Sequence, residues 1–459
     1  MINAFEFQKI KTSLLPASWQ EEKIIEDLEF FLQDNWELRK SLYPDRELTS
    51  VQQFIDFDKK DGFKTRNYIG TVCFRGEQLN IFPKIYKEDE DDQDPSKLDE
   101  RDLISDLVIW LDYCNKYNYP FVSLKSDIDN SVDSLLELMI TVYVRYVKSE
   151  VERQPFFKYE DVEEEGNFVK GRIDFTDFIV KKFPMGQAHT IRYTYSSFEY
   201  DNLLNQIIKY TCRYIRGKTK QKTNKKIIND ILMKLGDVSD RNCQPYDCDK
   251  IKLNSLQARY STILSLSKMF LLNKLSNEKI GVRDSFCFLF PAEDIFEGFI
   301  AGFMKDTFDA DVKISTQSRK LYLTELVVNG KTVGNRFQLK EDILVEYKNL
   351  IIVMDTKYKE IEKLNKILDS NKLDIADQDM HQMAVYANRQ GAKKVYLLYP
   401  LYRGDEPDST EVIFNILNGP GETENKIPVH ILQVPFSLCD NISCTKEMLT
   451  KILKGLLFP

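Results

Sequence analysis

The sequence predicts an α+β chain of several domains: a β-containing N-terminal region, a helical middle and a C-terminal α/β domain. Three observations predict this. A chain of 459 residues exceeds what one hydrophobic core usually organises, so two or three domains are expected. Hydrophobic residues make up 42% and aromatics 12%, enough to fill sizeable cores. From about residue 284 the apolar pattern runs helix, strand, strand, helix, strand, which is an α/β order. The expected segments are 1–160, 161–280 and 281–459.

Composition narrows the class. A net charge of −8 argues against a protein coated in nucleic-acid-binding surface, yet leaves room for a local basic groove. The opening MINAFEFQKIKTSLLP has no continuous apolar core, so no secretory or transit segment is expected. The most apolar helical stretch, 135–147, is too short to span a membrane and carries Glu137 and Arg145. The chain is therefore expected in the cytoplasm. Cys243/Cys248 and Cys439/Cys444 share a C-x4-C spacing, but with three histidines and no C-x2-C pair, reduced structural thiols fit better than zinc.

Ser18 and Glu21 have the spacing of a capping box for a helix whose Ile24, Ile25, Leu28, Phe31 and Leu32 share one face. Residues 68–86 read as two strands joined at Arg75-Gly76. The acidic run 87–102 reads as a solvated or disordered loop. Helical periodicity returns over 103–118 and 132–152. Residues 171–180 and 189–200 are strand-like, and 201–215 form an amphipathic helix. That helix runs into the basic stretch 216–226, more often a solvated helix end than a DNA contact, though a patch of point charges is enough to hold phosphate. Helices are expected over 224–235 and 254–275.

The last third carries the chemistry. A helix is expected over 292–306, with Ile295, Phe296, Phe299, Ile300 and Phe303 facing a core and Glu297 beside that stripe. A strand over 336–347 carries Asp342. After Lys348-Asn349, residues 350–358 form a strand apolar on both faces and ending in Asp355, Thr356 and Lys357. Alternation places Asp355 and Lys357 on one face, and Asp342 reaches the same end from the neighbouring strand. A D-x-K triplet alone is a common solvated strand end. Two converging carboxylates, however, can hold Mg²⁺, with the backbone carbonyl of Thr356 as a third ligand and Mn²⁺ as a substitute ion. Lys357 would orient water or stabilise charge developing on phosphoryl oxygens. Gln382 and Tyr386 share a face of the helix expected over 377–390, and a buried strand follows over 393–401.

The order of these elements resembles the PD-(D/E)xK nuclease core, in the variant with a Q-x3-Y helix found in RecB-like nucleases. Glu341 stands where the proline of that name would be. The resemblance implies a restriction-endonuclease-like fold for 281–459. YIGTV with LNIFPKI (68–85), KGRIDF (170–175), FEYDNLLNQIIK (198–209), DIFEGFI (294–300), DTKYK (355–359), DMHQMAVYA (379–387) and VYLLYP (395–400) extend it along most of the chain. In that order they resemble the McrC family, the nuclease subunit of McrBC-type modification-dependent restriction systems. The resemblance implies catalytic roles for Asp342, Asp355 and Lys357, with Glu297 and Gln382 supporting metal and phosphate geometry and Glu297 joining the metal ligands. It implies that Tyr386 packs, that Asn202 and Asn205 cap or bridge the middle region to the nuclease core, and that Pro83 and Lys84 shape a turn. It also implies double-stranded DNA as substrate and a hexameric McrB-like AAA+ GTPase motor as partner, docked and stimulated by the N-terminal region. No G-x4-G-K-(S/T) occurs in the chain, so no nucleotide is expected to bind here. Two other readings stand beside the endonuclease: a non-catalytic activator or scaffold of the motor, and a solo RecB-like repair nuclease.

Overall fold

The computed structural model describes residues 1–39, 54–58, 62–87, 94–114, 134–153, 155–169, 171–187, 189–281, 285–318, 321–329, 331–361, 375–407, 411–417, 426–438 and 441–457. It is a mixed α/β structure with several sheets, divided into two compact units. One unit takes Met1–Glu37, Asp45–Leu136 and Asp284–Pro459; the other is built mainly from Glu137–Arg283. These units do not follow the three consecutive segments read from the sequence, because both ends of the chain enter the first unit.

The first unit begins with β1 (Ile2–Phe5), β2 (Lys9–Ile10), α1 (Glu22–Arg39), β3 (Ile55–Asp58), β4 (Gly62–Thr65), β5 (Tyr68–Phe74) and β6 (Glu77–Phe82). Arg75 and Gly76 join β5 to β6 with φ of 51° and 84°, the left-handed pair that a two-residue hairpin needs. Leu28, Phe31 and Leu32 of α1 are buried as the periodicity predicts. The Ser18–Glu21 capping box is corrected. Residues Ala17–Trp19 form a separate 3₁₀ turn, and the Ser18 hydroxyl donates to Glu77 at 3.0 Å. The Trp19 indole N–H, bonded to the Phe74 carbonyl at 3.2 Å, holds that turn against β5.

Of the acidic run, residues 88–93 lie outside the described residues. The rest is ordered helix entry rather than loop: Asp94 caps a short 3₁₀ turn, and Asp99 caps α2 (Glu100–Tyr113) by accepting from the Arg101 N–H at 2.9 Å. Residues 115–118 of the expected helix, and 132–133 of the next, also lie outside the description.

The second unit contains α3 (Leu135–Arg153, which starts in the first), β7 (Lys158–Gly166), β8 (Arg172–Ile173), β9 (Ile191–Glu199), α4 (Leu203–Arg216), α5 (Lys222–Lys234) and α6 (Tyr260–Ile280). Its sheet runs β7-β9-β8. The strand expected over 171–180 is corrected to two residues of strand and then helical turns at Phe175–Asp177 and Phe178–Lys182. Asp174 is the reason: its carboxylate accepts from the Asp177 N–H at 3.0 Å and starts a helix where β-propensity alone would continue the strand. Asn202 caps α4, and the side-chain amides of Asn202 and Asn205 both donate to the Phe156 carbonyl, at 3.3 and 2.9 Å, within this unit. The basic stretch 216–226 is a helix end, a turn and a helix start, anchored where Thr219 donates to buried Glu137 at 2.7 Å. Cys243 and Cys248 are buried, and burial pushes their thiols up to about 11 and about 12.

The chain then re-enters the first unit. β10 (Phe286–Pro291) pairs antiparallel with β5, completing the sheet β1-β6-β5-β10. α7 (Ala292–Thr307) follows, then β11 (Lys313–Ser318), the hairpin β12 (Tyr322–Val328) and β13 (Lys331–Gln338), β14 (Glu341–Tyr347), β15 (Leu350–Thr356), α8 (Asp377–Gln390), β16 (Lys394–Pro400), β17 (Val412–Leu417), β18 (Lys426–Val434) and α9 (Ile442–Leu457). The single strand expected over 336–347 is corrected to two: Phe337 turns left-handed at φ 56°, and the Leu339 N–H bonds the Leu321 carbonyl at 2.9 Å, ending β13 before β14 begins. The six-stranded sheet runs β11-β14-β15-β16-β18-β17. α8 lies on one face, burying Met383, Tyr386 and Ala387 against Leu344, Val353, Val395 and Leu397. β14 pairs antiparallel with β15 and β16 pairs parallel, so the sheet changes sense at β15. No helix among the described residues is long and apolar enough to cross a membrane.

Candidate functional site

The end of β15 gathers the polar residues that the sequence singled out. Ile343 pairs with Met354, and one further step of the same antiparallel register sets Asp342 opposite Asp355, on one face of the sheet. Asp342 closes the end of that ladder: its Oδ2 accepts from the Thr356 backbone N–H and from the Thr356 hydroxyl, both at 2.9 Å. On the other side of β15 the Lys357 N–H donates to the Leu398 carbonyl at 2.8 Å. Because N–H and C=O of one strand residue leave by the same edge, the Thr356 carbonyl faces the Asp342 side.

Asp355 and Lys357 lie two residues apart and share the face covered by α8. Asp355 is 1% exposed, and its Oδ2 stands 2.6 Å from the Lys357 ammonium. Its Oδ1 is buried without a hydrogen-bond partner. Lys357 also donates to Gln382 Oε1 at 3.2 Å and lies 3.7 Å from Asp379. Gln382 in turn donates to the Tyr386 hydroxyl at 2.9 Å, and that hydroxyl donates to the Lys340 carbonyl at 3.0 Å. Tyr386 thus packs, as expected, and also fixes the amide that faces Lys357.

Glu297 stands on α7, where Gln317 Nε2 donates to it at 2.9 Å. Gln317 has φ 47° and occupies the position on β11 opposite Asp342. Among the described residues, no group of three or more His, Cys, Asp or Glu side chains is close enough to hold a metal by itself.

The electrostatics are those of a crowded acidic site. Burial raises the Asp342 carboxyl to about 7, helped by the charges of Asp355 and then Glu297, while the Thr356 bonds pull it back. Burial also raises Asp355, against the pull of Lys357. Burial works against the Lys357 charge, but Asp355, Asp379 and Asp342 together outweigh it and hold the ammonium above its ordinary value. The arrangement has an excess of negative charge and one uncommitted buried oxygen, which fits a site that accepts a hard cation.

Two neighbours escaped the sequence reading. Asp379 is buried and bridges Lys357 and Lys359, the latter at 2.6 Å. Its signal was available, since it lies three residues before Gln382 and so on the same helix face. Gln317 had no signal, because its place opposite Asp342 depends on a pairing that local pattern does not encode.

A solved Thermococcus gammatolerans assembly of McrB AAA+ hexamers with bound McrC contains a chain of similar fold. The TM-score is 0.62 at 17% identity, over 99% of each chain. A second structure, of the Thermococcus gammatolerans McrBC complex, aligns at a TM-score of 0.47 and 18% identity, covering 67% of this chain and 87% of that one. No match was found among curated proteins. The family described as McrBC 5-methylcytosine restriction system component matches residues 63–400, a span running from β4 through the Asp342–Asp355–Lys357 site to the end of β16. With well over half its length matched, the chain belongs to the McrBC 5-methylcytosine restriction system component family.

Proposed function

We propose that this chain is the Mg²⁺-dependent DNA endonuclease subunit of a McrBC-like restriction system. It would cut methylcytosine-containing DNA together with an AAA+ GTPase motor whose GTP hydrolysis it stimulates. One observation carries the reading. Asp342 and Asp355 face each other across β14 and β15 with Lys357 on the same face, at the carboxyl end of β15 where the sheet changes sense. Two carboxylates and a lysine converging at a strand end support the reading of a PD-(D/E)xK core.

Asp342, Asp355 and the Thr356 carbonyl would hold Mg²⁺, with Glu297 at the edge of the same site. Mn²⁺ would substitute. A bound divalent ion polarises the phosphate and lowers the pKa of a water. The rest falls to the chain's own side chains. Lys357, fixed between Asp355 and Gln382, places its ammonium where negative charge grows on the phosphoryl oxygens. Gln382 is held by Tyr386 and keeps Lys357 from collapsing wholly onto Asp355. Glu297, held by Gln317, adds negative charge that favours a cation over a vacant site.

The motor would dock through the N-terminal region, residues 1–160, and the second unit offers a further candidate surface. Phe168, Phe175, Ile179, Val180, Phe183 and Met185 are all exposed there, apolar side chains that a partner protein could cover. The solved assembly of similar fold carries McrB hexamers with bound McrC, which supports an AAA+ motor as that partner.

The test is reconstitution with a McrB-like AAA+ GTPase, GTP and Mg²⁺, on cytosine-methylated and unmethylated plasmid. Cutting of methylated plasmid alone is expected. Absence of cutting with intact stimulation of GTP hydrolysis would favour the activator reading instead. Lys357→Ala is expected to slow cleavage by about a hundredfold while Mn²⁺ binding, followed by calorimetry, changes little. Equal losses in both would defeat the assigned role.

A further inference from the structure

The strand that carries Asp355 and Lys357 ends against residues from the other end of the chain. Tyr358 follows Lys357 directly but faces away from α8, into a buried cluster. Its backbone carbonyl accepts a hydrogen bond from the Lys84 ammonium at 3.0 Å, and the same ammonium lies 4.7 Å from the centre of its ring. Its hydroxyl donates to Glu6 Oε2 at 2.7 Å. That carboxylate oxygen also accepts the Lys84 backbone N–H at 3.0 Å. Glu6 and Lys84 are 2% and 8% exposed, and each directly follows a strand or turn of the N-terminal sheet, β1 for Glu6 and β6 with Pro83 for Lys84. The turn expected of Pro83 and Lys84 is present as a 3₁₀ helix over Lys84–Tyr86, but the Lys84 side chain leaves it to reach Tyr358.

The ring of Tyr358 extends the contact to α7. It lies 5.9 Å from Phe296 and 6.0 Å from Phe436, and those two rings are 5.0 Å apart. Phe296 immediately precedes Glu297. One aromatic side chain therefore backs both Lys357 and Glu297.

Burying a carboxylate and an ammonium costs several kcal/mol each unless bonds repay it. Here most of the repayment goes to the backbone and side chain of Tyr358, and the rest to the Lys84 N–H that Glu6 also accepts. Burial raises the Glu6 carboxyl to about 7 and lowers Lys84, so the pair is an expensive way to hold a strand end that apolar packing could hold more cheaply. A rigid strand terminus needs that expense only if its position matters.

We infer that Glu6 and Lys84 are positioning residues: a buried tether from the N-terminal sheet that sets where the end of β15 presents Lys357, and through Phe296 where α7 presents Glu297. The inference rests on the nuclease reading for its effect on rate, and on geometry alone for the tether itself.

The test uses the full chain with its motor partner. In the double variant Glu6→Gln, Lys84→Met both charges are removed, so none is left buried and unpaired. Backbone hydrogen exchange over Asp355–Glu360 is expected to accelerate at least tenfold, with the melting temperature close to that of the wild type. The kcat for plasmid cleavage is expected to fall about 10- to 100-fold, the range for residues that orient catalytic groups from behind, while the KM for DNA stays the same. Unchanged exchange would overturn the tether. Faster exchange with unchanged kcat would overturn its role in positioning. Should the double variant not fold, Tyr358→Phe cuts only the link to Glu6 and should show both changes at smaller size; their absence there overturns the inference equally. Cleavage that survives Asp355→Ala would sink the nuclease reading, and the exchange measurement would still decide the tether.

Discussion

Asp355→Ala is expected to reduce cleavage by about 10³-fold or more while leaving the fold intact. The rate effect follows from charge. In the proposed mechanism, losing the carboxylate that would organise the cation and Lys357 removes several kcal/mol of transition-state stabilisation, and about 4 kcal/mol corresponds to a thousandfold. The fold effect has the opposite sign. Asp355 is buried beside Asp342, which burial and the Asp355 charge both push up to about 7, and Asp355 Oδ1 has no hydrogen-bond partner. Alanine removes that repulsion. It also frees Lys357, which keeps Gln382 and Asp379 as partners. The melting temperature of Asp355→Ala should therefore hold or rise, as expected where an active site is kept at the expense of stability. A cleavage-dead variant with a sharply lowered melting temperature would show instead that Asp355 is structural. Asp355→Asn, of nearly the same size, should match the alanine variant in rate.

The second large effect is structural. Gly302→Ala is expected to destabilise the protein by about 2 kcal/mol and to weaken cleavage with it. Gly298 and Gly302 lie one turn apart on α7, where the end of α2 approaches so closely that side chains do not fit. A Cβ on Gly302 would fall on the Tyr113 backbone carbonyl, and one on Gly298 on the Cys114 sulfur. A backbone carbonyl cannot rotate aside as a side chain does, so α7 itself must move, at about 3 kcal/mol. The better helix propensity of alanine returns about 1 kcal/mol. Glu297 stands on the same helix, just over one turn before Gly302, so displacement of α7 changes its position relative to Asp342. Gly455→Ala is the control. Gly455 lies within α9, a Cβ there meets nothing within 4 Å, and the same change should stabilise by up to about 1 kcal/mol. Denaturant unfolding of the two variants, read as midpoints, distinguishes packing from propensity.

Local pattern carried much of the site to the reader. The β5–β6 hairpin shows in Arg75-Gly76, where the turn chemistry is unambiguous. α8 runs over Asp377–Gln390 as its periodicity predicts, bounded by Gly391 in the left-handed conformation. Asp342, Asp355, Lys357 and Gln382 come together because strand alternation, one antiparallel register and one helix face suffice to bring them there. What stayed hidden depends on pairing between distant segments. β10 was not read from the sequence, which opened the C-terminal part on the helix over 292–306, and its hydrogen bonds go to β5. Glu6 drew no reading and Lys84 was read only as part of a turn, and nothing in their neighbourhoods in sequence points to Tyr358. The segment after Arg172 was misread for a different reason: Asp174 caps a helix inside a run rich in phenylalanine, isoleucine and valine, and one side-chain bond outweighs the β-propensity of the run.

The pairing of β10 with β5 has a consequence for how the protein comes into being. During synthesis β5 emerges early, but the strand that covers its edge is made only after the whole of the second unit. Until then β5 presents unpaired amides, the kind of edge that invites wrong partners. The second unit has no such debt, since its sheet and helices are contiguous in the chain and can mature first. The N-terminal sheet must wait, and the tether from Glu6 and Lys84 cannot engage Tyr358 before the final third of the chain has left the ribosome. The nascent chain is therefore without a complete Asp342–Asp355–Lys357 site for most of its synthesis, and on the nuclease reading a truncated product stopping short of β15 would leave the DNA of the cell that makes it uncut.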